Sequence, residues 1–130
     1  MKLIILTFII LLFLNFGLRG LTKDTEIPEI TPEEAFTHFN EKGYIFLDVR
    51  EPEEFKEERI PKAINLPRGL VKSKIGEFFP DKEAQTFIVY CRSGRRSLDA
   101  TKTLLEMGYK ALNMKGGILA WKKAELPTEK

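Results

Sequence analysis

The sequence has one cysteine, one histidine and one tryptophan in 130 residues. A lone cysteine excludes an intramolecular disulfide framework, so stability must come from an apolar core. His38 has no second metal ligand near it, which argues against a spaced His/Cys metal site. An excess of charge of one sign is also missing. The first twenty residues contain Lys2 and Arg19 and no acid, and the rest of the chain carries 19 basic and 19 acidic residues. A neutral body gives no ground for nucleic-acid binding, so any positive field must be local. No internal repeat is present, and no low-complexity stretch follows residue 20.

What is there fits one ordinary domain: 43% hydrophobic and 31% charged residues in a chain of single-domain length. The exception is the opening, "MKLIILTFIILLFLNFGLRG". Lys2 precedes an apolar run from Leu3 to Phe16, broken only by Thr7 and Asn15. That order is the charged and apolar part of an export signal, and the run is shorter than the roughly 20 residues of a usual membrane span. Gly17 or Gly20 offers a cut site without an A-x-A pattern. Residues 1–20 are therefore read as a signal peptide or an N-terminal membrane anchor attaching through residues 3–18. Both readings put the domain in the periplasm or elsewhere outside the cytoplasm. Residues 21–29 read as a linker and 30–128 as the domain.

Within the domain, strand and helix signals alternate. "TPEEAFTHFNEKG" reads as a helix capped by Thr31, with Pro32 in its first turn and Glu34 completing a capping box. "YIFLDV" and "TFIVY" are continuous apolar runs, as expected of strands covered on both faces. "EPEEFKEE" reads as a short helix, and "AINLP" as a short strand. "GLVKSKIGEFF" reads as a helix turning Leu70, Ile75 and Phe78 inward. "SLDATKTLLEMG" reads as one turning Leu98, Thr101, Leu104 and Leu105 inward. "KALNM" is a last strand and "GGILAWKKA" a last helix. Such alternation predicts an α/β fold with a parallel sheet and helices on both faces.

The one cysteine stands in "CRSGRRS", residues 91–97, directly after the buried strand that ends at Tyr90. Open α/β sheets carry their sites at the carboxyl ends of strands. A tight loop feeding a helix turns backbone N–H groups inward and places the positive end of the helix dipole behind them. Gly94 permits the tight closure. Amides, helix terminus and arginines are all expected to favour the thiolate of Cys91. Cys91 is thus the candidate nucleophile. Arg92, Ser93, Gly94, Arg95, Arg96 and Ser97 form the candidate substrate-binding loop.

The stretches "DVREPEEF" (48–55), "RIPKAINLP" (59–67), "CRSGRRS" (91–97) and "GGILAWKKAELP" (116–127) together resemble the single-domain rhodanese, thiosulfate sulfurtransferase-like family. The resemblance spans nearly everything after residue 20. It implies a central parallel sheet of about five strands flanked by helices. It also implies an enzyme in which Cys91 takes a sulfane sulfur as a persulfide and passes it to cyanide or a thiol. The implied partners are a small anionic sulfur donor and a thiol or cyanide acceptor, with no cofactor and no metal. A different class, a sulfur carrier or redox-binding module with little turnover of its own, uses the same persulfide. Phosphatases and arsenate reductases of related fold use five residues between cysteine and arginine. Here four stand between Cys91 and Arg96, a smaller ring suited to one sulfur atom. Arg96 would anchor the loop while Arg92 and Arg95 meet the anion. The chain departs from the family pattern with Glu58-Arg59 where Gly-His is common, and with Lys62 in place of a glycine.

Other residues read more plainly. Asp48 and Arg50 are expected to be structural, pairing with each other or with loop groups, and His38 to be solvated or to cap. Trp121 is expected in the core or at its rim. Gly116 and Gly117 are expected to let the chain pass close to the loop or to start the last helix, and "EPEEFKEER" to form a solvated face.

Overall fold

The computed structural model describes residues 26–130. Residues 1–20, read as a signal peptide or membrane anchor, and residues 21–25 of the stretch read as linker lie outside the described residues. The sheet has five parallel strands in the order β1-β5-β4-β2-β3. They are β1 (Glu29–Ile30), β2 (Tyr44–Asp48), β3 (Ile64–Asn65), β4 (Thr86–Tyr90) and β5 (Lys110–Met114). The helices are α1 (Pro32–Phe36), α2 (Pro52–Glu57), α3 (Val71–Phe78), α4 (Arg95–Glu106) and α5 (Gly117–Lys123). β1 thus starts at Glu29, inside the stretch read as linker, and registers Glu29 against Asn113.

The two apolar runs become the central strands β2 and β4, in register from Tyr44–Thr86 to Asp48–Tyr90. Alternate side chains feed two cores. Leu47, Phe87 and Val89 pack with Val71, Ile75, Ala100 and Leu104 of α3 and α4 on one face. Phe46, Ile88 and Tyr90 pack with Ala35, Ile118 and Trp121 of α1 and α5 on the other. Trp121 is fully buried, edge-on to Phe36 and Phe46, and its indole N–H donates to the Pro127 carbonyl at 2.7 Å. Burial of an aromatic of this size with its polar atom satisfied is a large apolar contribution.

Three local expectations need correction. The first helix ends at Phe36, because the next amides bond three residues back (His38 to Ala35, Phe39 to Phe36) instead of four. In α3 the inward pair is Val71 and Ile75, spaced i, i+4, whereas Leu70 and Phe78 are exposed. In α4 the inward residues are Ser97, Ala100, Thr101 and Leu104, and Leu98 faces outward. Thr101 can be buried because its hydroxyl donates to the Ser97 carbonyl at 2.7 Å. His38 stacks on Tyr44 and pairs with Glu41.

Candidate active site

β4 ends at Tyr90, and the next residue, Cys91, enters a loop that α4 takes up at Arg95. The loop closes through Gly94, the N-cap of α4, which adopts a left-handed φ of 106°. The start of α5 fastens the loop from outside. The Ile118 amide donates to the Cys91 carbonyl at 2.9 Å and the Leu119 amide to the Arg92 carbonyl at 3.2 Å. This contact requires glycine at 117. A Cβ there would stand 2.3 Å from the Arg92 carbonyl oxygen, and φ is +61°.

Inside the loop the sulfur of Cys91 is surrounded by donors. The Gly94 amide lies 3.1 Å from Sγ and the Ser97 hydroxyl 3.3 Å. Burial alone pushes this thiol up. Hydrogen bonds from the Ser97 hydroxyl and from the amides of Ser97, Gly94 and Ser93 outweigh burial, so its pKa lies below the ordinary thiol value. The expected contribution of amides is present. The arginines, expected to share in it, are not among these leading causes. The residue is only 1% exposed, so the sulfur sits at the floor of the loop and not at its rim.

The three arginines divide the work unequally. Arg96 forms a two-pronged pair with Glu54 of α2, at 2.7 and 3.0 Å. That pairing is the dominant reason the Glu54 carboxyl lies below the usual carboxylate range. Arg92 and Arg95 are exposed, and among the described residues their side chains form no ion pair. The charge run in α2, expected to be a solvated face, is therefore only partly one. Glu54 anchors the loop, and Glu58 holds Lys122 at 2.7 Å and the Thr128 hydroxyl at 2.6 Å. Glu54 was legible only as the third helical residue of a capping box with Glu51. Its second role depends on what stands opposite.

Asp48 and Arg50 form the expected structural pair, both buried. Arg50 Nε lies 3.1 Å from each carboxylate oxygen and Nη2 lies 2.7 Å from Oδ2. Nη2 also donates to the Glu58 carbonyl at 2.7 Å. Burial works against the Arg50 charge, and the Asp48 carboxylate outweighs it and raises the pKa. The pair clamps the end of β2 to the chain leaving α2, beside the loop and not within hydrogen-bonding reach of the sulfur.

A cysteine at the carboxyl end of a central strand, with donors of a tight loop converging on its sulfur, is shared with other proteins. Residues 31–124 match the family described as Rhodanese-like domain. The chain belongs to the rhodanese-like family. It is 38% identical over 84 residues to a protein of Allochromatium vinosum named sulfurtransferase, covering 64% of this chain and 76% of that one. It is 42% identical over 73 residues to thiosulfate sulfurtransferase PspE of Escherichia coli, covering 56% of this chain and 69% of that one. The crystal structure of a rhodanese-related protein from Thermoplasma volcanium superposes with a TM-score of 0.71 at 26% identity, covering 78% of this chain and 97% of that one. The departure at Lys62 falls on an unusual backbone conformation. Its φ is +70°, the left-handed region where glycine is the unstrained choice. Lysine is held there by a 2.6 Å hydrogen bond to Asn40 and by the ring of Phe39. Arg59, the other departure, joins the C-terminal tail through a 3.0 Å bond to the Glu129 carboxylate.

Proposed function

We propose that the protein is a sulfurtransferase in which Cys91 carries the sulfur. The observation that carries this reading is the convergence of the Gly94 amide and the Ser97 hydroxyl on the Cys91 sulfur, in a ring of four residues between Cys91 and Arg96. The Cys91 thiolate attacks the outer sulfur of thiosulfate or a similar donor. The donor S–S bond breaks, and sulfite leaves with the electron pair. A persulfide results, whose outer sulfur faces the same donors. A thiolate or cyanide then attacks that outer sulfur and returns Cys91 as thiolate. Arg92 and Arg95, exposed at the loop, attract the anionic donor. The short ring disfavours phosphate chemistry, since the amides close on one atom and not on three phosphate oxygens. Relatives named as sulfurtransferases support the reading. So does the leader for its location: we propose that residues 1–20 direct the domain out of the cytoplasm.

Intact mass tests it. After exposure to thiosulfate the purified protein gains one sulfur and loses it on treatment with cyanide, and Cys91→Ser does neither. Sustained turnover separates an enzyme from a carrier that loads once and stalls. An unloaded parent protein, or aryl phosphate hydrolysis by it, would reject sulfur chemistry.

A further inference from the structure

Beside the loop lies a cleft of about 360 Å³, within the roughly 300–1,000 Å³ of small-molecule sites. Its walls are crowded with charge, most of it internally neutralised. Arg50 is held by Asp48, Glu54 by Arg96 and Glu58 by Lys122. Two charges at the cleft are left over. Glu57, the last residue of α2, and Arg92, the residue after Cys91, both line it. Among the described residues neither has an ion-pair partner, and they do not pair with each other. The cleft also has an apolar lining, formed by Ile118 and by Leu119, which is 47% exposed. The wall is fixed relative to the sulfur, because the Ile118 and Leu119 amides bond to the Cys91 and Arg92 carbonyls.

We propose that this cleft binds the sulfur acceptor, and that the acceptor is a small thiol carrying both an ammonium and a carboxylate group, on the pattern of cysteine. This rests on the sulfurtransferase reading and deepens it. The ammonium meets Glu57, the carboxylate meets Arg92, and the carbon stem lies on Leu119. Charge decides the class. Cyanide or an anionic thiol without an amine would use Arg92 and be repelled by Glu57. A purely cationic thiol would leave Arg92 unmatched. The transfer step balances without an oxidant or reductant. The acceptor thiolate bonds to the outer sulfur of the Cys91 persulfide, the persulfide S–S bond breaks, and its electron pair stays on Cys91 as thiolate. The outer sulfur keeps its proton and leaves on the acceptor, as a new persulfide.

The test uses the full chain loaded with one sulfur by thiosulfate or inorganic polysulfide, the loading being read by mass before any acceptor is added. Rates of sulfur loss are then measured with cysteine, cysteamine, 3-mercaptopropionate and 2-mercaptoethanol, for the parent and for Glu57→Gln. The variant-to-parent ratio for each thiol cancels its own nucleophilicity. Glu57 is exposed at a helix end, so the substitution leaves the fold in place. The expected result is a loss of about ten-fold with cysteine and cysteamine, on the scale of one charge-assisted hydrogen bond. No loss is expected with the two thiols that lack an amine: 2-mercaptoethanol is unchanged, and 3-mercaptopropionate reacts somewhat faster because the repulsion of its carboxylate is gone. Equal ratios for all four thiols would overturn the proposal and leave the sulfurtransferase reading standing. A chain that never gains the sulfur overturns both.

Discussion

At the scale of single residues, the reactivity of Cys91 comes from donors aimed at one atom. Burial opposes ionisation, and the Ser97 hydroxyl with three amides overcomes it. A thiol with a lowered pKa is mostly thiolate at a pH where a free thiol is not, so the midpoint of its alkylation moves down in pH. A small alkylating agent should therefore react with Cys91 with a midpoint below roughly 8.5, the value of an unperturbed thiol. Ser97→Ala should raise that midpoint, because it removes the side-chain donor 3.3 Å away while the amides remain. Unchanged midpoints in parent and variant would remove Ser97 from the account. Lys62 shows the opposite trade, in which a side chain is kept at a conformational cost. A left-handed residue with a Cβ costs roughly 1–2 kcal/mol, against an exposed contact with Asn40 and Phe39 that returns about 1 kcal/mol or less. Lys62→Gly should thus leave stability level or raise it by up to about 1 kcal/mol, read by urea unfolding. A loss above that size would show that the Asn40 contact dominates.

At the scale of elements, the loop is held between two helices, one outside the cores and one that anchors Trp121 in them. α2 has no buried residue, yet its Glu54 fixes Arg96, and the first turn of α5 bonds the loop carbonyls. The Glu54 carboxyl has a folded pKa below its unfolded value. Its stabilisation is therefore complete above the unfolded pKa of roughly 4.3 and is lost as pH falls through the folded one. Glu54→Gln should lower stability at pH 7 by about 1 kcal/mol, the scale of a partly exposed two-pronged pair. The difference between parent and variant should shrink as pH drops below roughly 4, where the parent carboxyl is itself protonated. Urea unfolding at pH 7 and pH 3 measures both. A gap that persists unchanged at pH 3 would mean that Glu54 acts through shape and not through charge. Sulfur transfer should fall in the same variant, since Arg96 loses the fork that orients it.

For the whole molecule, the parallel sheet brings β2 and β4 side by side. The Asp48–Arg50 clamp and the Cys91 loop thereby leave the sheet at the same edge. The tail returns to that side as well. Arg59 and Glu129 pair through backbone and side chains, and Thr128 bonds Glu58. Among the described residues no helix is long and apolar enough to cross a membrane. If the leader acts as proposed, cell fractionation finds the protein outside the cytoplasm, and external protease reaches the domain. A wholly cytosolic chain would reject export.

Much of this was legible in the linear sequence because it is set by near neighbours. Apolar runs of five residues made strands. A cysteine followed by glycine and arginines after such a run marked the loop, and Asp48 and Arg50, two residues apart, stood ready to pair with each other or with loop groups. Glu54 lies 42 positions from Arg96, and nothing in the spacing of either announces the other. Their meeting follows from the adjacency of β2 and β4. The inward faces of α3 and α4 were misread for a related reason. Leu98 and Phe78 suit a core by composition, but the angle at which each helix docks on the sheet turns Ala100 and Val71 inward instead. The source of the thiolate's stability was also decided in three dimensions. Charge counting favoured three arginines, whereas the folded loop aims neutral amides and a hydroxyl at the sulfur and sends Arg96 to a carboxylate. Hydrogen bonds act over about 3 Å along fixed directions, and only the tertiary fold sets those.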